Sequence, residues 1–146
     1  MSATNALETA ILSHIFTNAS LANIGDATGL PGSATAGSFY ISLHTADPGE
    51  AGTQSTSEAT YTSYARVAVA RTVGGWTVTG STASNTAVVN FPGATGGTST
   101  ITHFGIGSAS SGAGNLFFTG ALTSSLAVSN GITPSFAVGA LTVVAD

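Results

Sequence analysis

The chain has 146 residues, no cysteine and no lysine, and only 5% of its residues are charged, against about 25% in an ordinary soluble domain. Two arginines against six acids leave a net charge of -4, which excludes a basic phosphate-binding surface, so no nucleic acid partner is expected, while the missing cysteines exclude disulfide scaffolds and cysteine-based zinc or redox sites. A chain of this length can bury roughly 70% of its unfolded surface without staples, and a Ser/Thr/Asn/Gly surface with little charge to keep copies apart points to a protein that lives against copies of itself or other neighbours.

Residues 5–22 carry a helical pattern. Asn5 stands as N-cap with Glu8 three positions on, and Leu7, Ala10, Ile11, His14, Ile15 and Ala22 recur at helical spacing, with Leu12 and Phe16 widening the stripe. A helix this apolar must lie on a sheet or on another subunit, so Leu7, Ile11 and Ile15 are candidate subunit contacts. Glu8 and the absence of a basic start do not read as a secretory signal. No apolar run approaches the ~20 residues of a membrane span. The expectation is a chain made in the cytoplasm with no membrane partner.

A Gly/Ser/Ala/Thr loop with Pro31 follows at 23–38, and from Phe39 onward the period is two. Phe39, Ile41 and Leu43 face one way, and Tyr40, Ser42 and His44 the other. Similar alternation marks 65–69, 76–79, 87–91 and 103–106, with further strands expected at 115–121, 126–130 and 134–144. Gly, Pro, Asn and Ser clusters divide them at 47–52, 72–75, 92–99, 107–114 and 129–134. Seven or eight short strands without alternating helices predict a mainly β chain: a jelly-roll-like antiparallel β-sandwich with one N-terminal α-helix. The expected organisation is helix and Gly/Ser-rich loop over 1–38 and sandwich over 39–146, as one compact domain.

Chemistry-bearing residues are few. His14, His44 and His103 lie far apart in sequence without metal-ligand spacing, and the reading is that His44 and His103 sit on the outer faces of strands. No Gly-x-Ser-x-Gly elbow is present, and no Gly-rich loop carries the lysine of a phosphate loop. Asp47, Glu50 and Glu58 could serve acid–base work, but Asp47-Pro48-Gly49 is accounted for by turn chemistry alone. No catalytic, cofactor or metal residues are therefore expected. Arg66 and Arg71 pair with an acid, stack on an aromatic ring, or make a subunit contact. Asp47, Glu50 and Tyr61 mark a candidate exposed contact loop over 47–60 and its exit. Trp76, Tyr61 and Tyr64 could stack on sugar rings, although a lone Trp at a strand start more often packs in a core.

Five stretches in this order resemble a known family: Tyr40-Ile41-Ser42-Leu43-His44-Thr45-Ala46-Asp47-Pro48, Tyr64-Ala65-Arg66-Val67-Ala68-Val69, Ala87-Val88-Val89-Asn90-Phe91-Pro92, Ile101-Thr102-His103-Phe104-Gly105-Ile106 and Gly120-Ala121-Leu122-Thr123. Together they are similar to small virion proteins of tailed bacteriophages labelled as tail-fibre or tail proteins, over about Phe39 to the C-terminus. The resemblance implies a structural part of a phage particle, with no catalytic residues to carry over. The expectation is a tail-associated, non-enzymatic homo-oligomer in contact with other virion proteins, residing in the virion after assembly in the host cytoplasm. Capsid decoration or cement is the alternative, and a glycan-binding receptor module, with a host glycan as partner, comes behind it.

Overall fold

A computed structural model describes residues 2–145. In chain order the elements are α1 (Asn5–Thr17), β1 (Ser38–His44), β2 (Val67–Ala70), β3 (Trp76–Thr79), β4 (Thr82–Asn85), β5 (Val89–Asn90), β6 (Ser99–Gly107), β7 (Leu116–Val128), β8 (Ser135–Phe136) and β9 (Thr142–Val144). The chain is mainly β; the pairs β1–β6, β3–β4, β4–β9 and β6–β7 run antiparallel, and among the described residues one helix stands near the N-terminus. This is the fold class that the period-two pattern predicts. Among the described residues, no helix is long and apolar enough to cross a membrane. Two compact units are present, each built from segments distant in sequence.

The first unit comprises residues 1–38, 70–88 and 136–146. Here α1 packs on β3 and β4, and β9 extends that sheet in the order β3-β4-β9. The helix is shorter than its pattern. Thr4, not Asn5, is the N-cap, and Asn18 takes a left-handed conformation (φ 59°) and returns its N–H to Ser13, ending the helix at Thr17. Arg71 donates from Nε to the Ile15 carbonyl (2.6 Å) and from its terminal nitrogens to His14 and Ala36 (3.0 Å each). A cation thus sits where the helix dipole and the unsatisfied carbonyls favour one. The buried stripe is Glu8, Leu12 and Phe16, one position round from the expected face, and Leu7 and Ile11 are 40% and 36% exposed. Phe16 meets Trp76 at 4.7 Å between ring centres, with Ala83 and Leu141 also buried in this unit.

The loop at 23–38 is held at its base. Leu21 and Leu30 exchange backbone hydrogen bonds (2.9 Å each), and the Asn18 side chain makes paired bonds with Ser33 (2.8 Å each). The β3–β4 hairpin turns through Gly80 and Ser81. Its positive φ (58°) falls on glycine at the first central position, as a type II′ turn requires. The expected strand at 134–144 is two short pieces. Between them, the buried Asn85 side chain donates to the Ala87 and Ala137 carbonyls and accepts from the Leu141 N–H, while Gly139 turns the chain at φ 73°.

The second unit comprises residues 39–69 and 89–135. Its main sheet has the order β2-β1-β6-β7. The β1–β6 register pairs Ile41 with Ile106 and Leu43 with Phe104 on one face, and Tyr40 with Gly107, Ser42 with Gly105 and His44 with His103 on the other. Phe39, Ile41, Leu43, Phe104 and Ile106 are buried. The segments expected as separate strands at 115–121 and 126–130 are one strand, β7, which bulges where its register against β6 shifts between Ile101 and His103. In the short β5–β8 ribbon, Phe91 donates its N–H to the Pro134 carbonyl (3.0 Å).

Candidate functional site

The second face of β1 is not wet. Alternation along Tyr40, Ser42 and His44 predicts an outer face, yet Ser42 and His44 are both 0% exposed. They are covered by the segment that follows the strand. Thr45 donates its N–H to Ser57 (2.8 Å), Ala59 donates to Leu43 (2.8 Å), and Gln54 reaches under the loop. The Gln54 amide donates to the Tyr40 carbonyl (3.1 Å) and accepts from the Ala109 N–H (2.9 Å). The outer-face placement of His44 is therefore corrected. His103 opposite it is half-buried, with its Nδ1 2.9 Å from the Thr102 hydroxyl.

Within this cover lies a serine–histidine pair. Ser42 Oγ and His44 Nε2 are 2.8 Å apart, and His44 Nδ1 is 2.8 Å from the Thr56 carbonyl. A carbonyl can only accept, so Nδ1 carries the proton and Nε2 accepts from the Ser42 hydroxyl. Burial holds the His44 pKa below its usual value, against the opposing pull of the Thr56 carbonyl and Glu58. The geometry is that of a serine beside its base. Both groups are sealed, however, so a substrate has no approach to Ser42 Oγ in this structure. The room for the pair comes from β6. A Cβ on Gly105 would lie 2.6 Å from Ser42 Oγ and 2.7 Å from His44 Nε2.

Beside it Glu58, Tyr64 and Arg66 form an ionic knot. Arg66 donates from Nε (2.6 Å) and from one terminal nitrogen (2.8 Å) to the two Glu58 oxygens, a bidentate pairing. Its terminal nitrogens also donate to the Ala109 (2.9 Å) and Gly112 (2.7 Å) carbonyls, drawing the 107–114 loop inward. The Tyr64 hydroxyl donates to Glu58 (2.9 Å) and accepts from the Leu43 N–H (3.0 Å). Burial, reinforced by the Glu58 charge, pushes the Tyr64 phenol far above its ordinary range, and the bond to Glu58 raises Arg66 further still. The Arg66 side chain is only 2% exposed.

Of the candidate contact loop, Asp47 and Glu50 are exposed. Asp47 accepts from the Gly49 N–H (2.9 Å), Gly49 has φ 68°, and Pro48 is buried, so the Asp-Pro-Gly stretch is the turn that its composition predicts. Tyr61 is not part of an exposed loop. It is 2% exposed, donates to the Pro92 carbonyl (3.1 Å) and sets its ring edge-on to Tyr64 at 5.3 Å. Tyr64 in turn stacks on Phe91 at 6.3 Å. With Trp76 also 0% exposed, neither Trp76 nor Tyr61 offers a ring face to a sugar.

One open groove adjoins the loop, with a volume of about 340 Å³. Its walls are Asp47, Gly49 and Glu50 on one side and Leu116 to Thr119 of β7 on the other. Pattern reading found the acids and expected a strand over 115–121, but not that the two lie side by side. Among the described residues, no group of three or more His, Asp or Glu side chains could hold a metal ion. His14, on the flank of α1, has its Nδ1 2.8 Å from the Ala19 carbonyl.

The model of a family described as "Podophage GP4 fiber I protein gp80" matches residues 2–144. No curated protein matches the chain.

Proposed function

The chain belongs to the podophage GP4 fiber I protein gp80 family, and we propose that it is a non-enzymatic, tail-associated fibre component that works as an assembly of several copies. The match takes in the N-terminal helix as well as the strands. A structural role in a tailed-phage particle follows from membership, and the protein is a virion component on the same ground.

The observation that carries the finer reading is how the few ionic groups are spent. Arg66 is locked to Glu58 inside the loop cover, and Arg71 closes the end of α1. Apart from the exposed acids Asp26, Asp47 and Glu50, what remains outside among the described residues is uncharged and partly apolar, with Leu7 and Ile11 along α1, Phe117 on β7, and Val138 and Val144 near the C-terminus. Permanent assemblies use such surfaces, where apolar and hydrogen-bonded contacts replace charge. In this reading Leu7 and Ile11, with half-buried Ile15 beside them, supply apolar contacts between copies or with a neighbouring fibre protein. Arg66 and Arg71 serve the fold. Assembly takes place in the host cytoplasm.

Immunogold labelling of purified particles tests the location. Gold confined to the tail supports the reading, and gold spread over the head replaces it with shell decoration.

A further inference from the structure

We infer that the groove between the 47–50 turn and the outer edge of β7 takes an extended, cationic segment of a different protein, added to the sheet as a strand; this rests on the reading of the chain as a fibre component. The first observation is the edge itself. β7 is the terminal strand of its sheet, runs for 13 residues and carries no charged residue and no proline. Those are the devices by which edge strands usually repel a guest. Near its lower end the edge is already used. Thr53 bridges Asn115 in antiparallel fashion, and Gln54 donates its N–H to the Gly114 carbonyl (3.0 Å). From Leu116 onward no strand lies beside it among the described residues. A guest running antiparallel to β7 would continue the row that Thr53 begins, with main-chain hydrogen bonds as its adhesive.

The second observation is charge, and it selects the guest. The far wall presents the exposed carboxylates of Asp47 and Glu50, while the strand wall offers Phe117, half-exposed, and Thr119. A copy of this chain has no side chain to match. It has no lysine, Arg66 is bound to Glu58, and Arg71 is bound to the carbonyls of His14, Ile15 and Ala36. Pairing β7 with β7 about a two-fold axis would also bring Asp47 and Glu50 of both copies to one interface, like charge against like. A strand with Lys or Arg at alternate positions satisfies the edge and the acids together, and its aliphatic stems can lie on Phe117.

The test uses the full chain, labelled with nitrogen-15, and a capped peptide of alternating valine and arginine, with an alternating valine–glutamate peptide as control. The arginine peptide should shift the amides of Leu116 to Thr119, and the glutamate peptide should not. Asp47→Asn combined with Glu50→Gln should weaken binding about fivefold, the worth of two solvent-facing ion pairs. Asn at 47 keeps an acceptor for the Gly49 N–H, so the turn survives. No shift at β7, equal shifts from the glutamate peptide, or binding unchanged in the double variant would each overturn the inference. So would concentration-dependent self-association of the chain that blocks the peptide. Gold on the head would overturn the tail assignment and leave these binding results standing.

Discussion

Ser42 and Gly105 stand opposite each other across β1 and β6, and the side chain that Gly105 lacks is the space in which Ser42 and His44 make their hydrogen bond. Gly105→Ala should therefore lower stability by about 1–3 kcal/mol, the usual cost of forcing atoms into a packed interior. Urea denaturation would read this as a lower midpoint at unchanged slope. An Ala substitution tolerated within a few tenths of a kcal/mol would mean that the pair is not held as described.

Glu58 and Arg66 should fail separately and be tolerated together. Removing either partner leaves a buried charge without its counterpart, at about 3–5 kcal/mol. Arg66→Met alone and Glu58→Gln alone should each cost on this scale, while the double variant should cost clearly less than their sum. Strict additivity in a double-mutant cycle would argue against the knot.

His44 gives stability a pH dependence whose sign follows from its lowered pKa. The folded state holds His44 neutral, whereas the unfolded chain takes up a proton near pH 6.5. Below that pH the unfolded state binds more protons, so stability is complete above about pH 6.5 and is lost as pH falls toward the folded-state pKa. The slope from this one group approaches ~1.4 kcal/mol per pH unit. Thermal melts between pH 7.5 and 5.5 should show the decline, and His44→Asn should remove most of it. Parallel pH profiles for the two proteins would contradict the assignment.

Arg71→Gln should loosen the end of α1. Removing the guanidinium from the His14 and Ile15 carbonyls should cost about 1–2 kcal/mol, through lost charge-assisted hydrogen bonds and dipole stabilisation. Hydrogen exchange should accelerate at Ser13 to Thr17 before it does in β3 and β4. Uniform acceleration across the first unit would point to global destabilisation instead.

Period-two alternation made β1, β3 and β6 legible because their apolar residues do fall on one buried face. It missed β4, whose Thr-Ala-Ser-Asn carries no apolar rhythm and is held by pairing on both sides and by Asn85. It misjudged Ser42 and His44 because alternation assumes that the polar face of a strand meets water. Here a segment 12 to 16 residues away in sequence closes over that face, and polar partners replace solvent. The signal that could have shown this is Gly105-Ile106-Gly107, two glycines paired across the strands with Ser42 and Tyr40 on the same face, where only a close neighbour makes the missing side chains useful. On α1 the apolar residues outnumber the buried positions, so composition alone could not choose between the 7/11/15 and 8/12/16 stripes. The groove depends on β7 lying beside the 47–50 turn, a pairing across about 70 residues that no local pattern encodes.

The central claim, a fibre component built into an assembly through a charge-poor surface, is tested most directly by cryo-electron microscopy of the intact particle. The account predicts density for this chain in the tail, in several symmetry-related copies, with Leu7 and Ile11 of α1 covered by a neighbour. Density on the head shell, or a copy in the tail whose α1 face remains open to solvent, would contradict it.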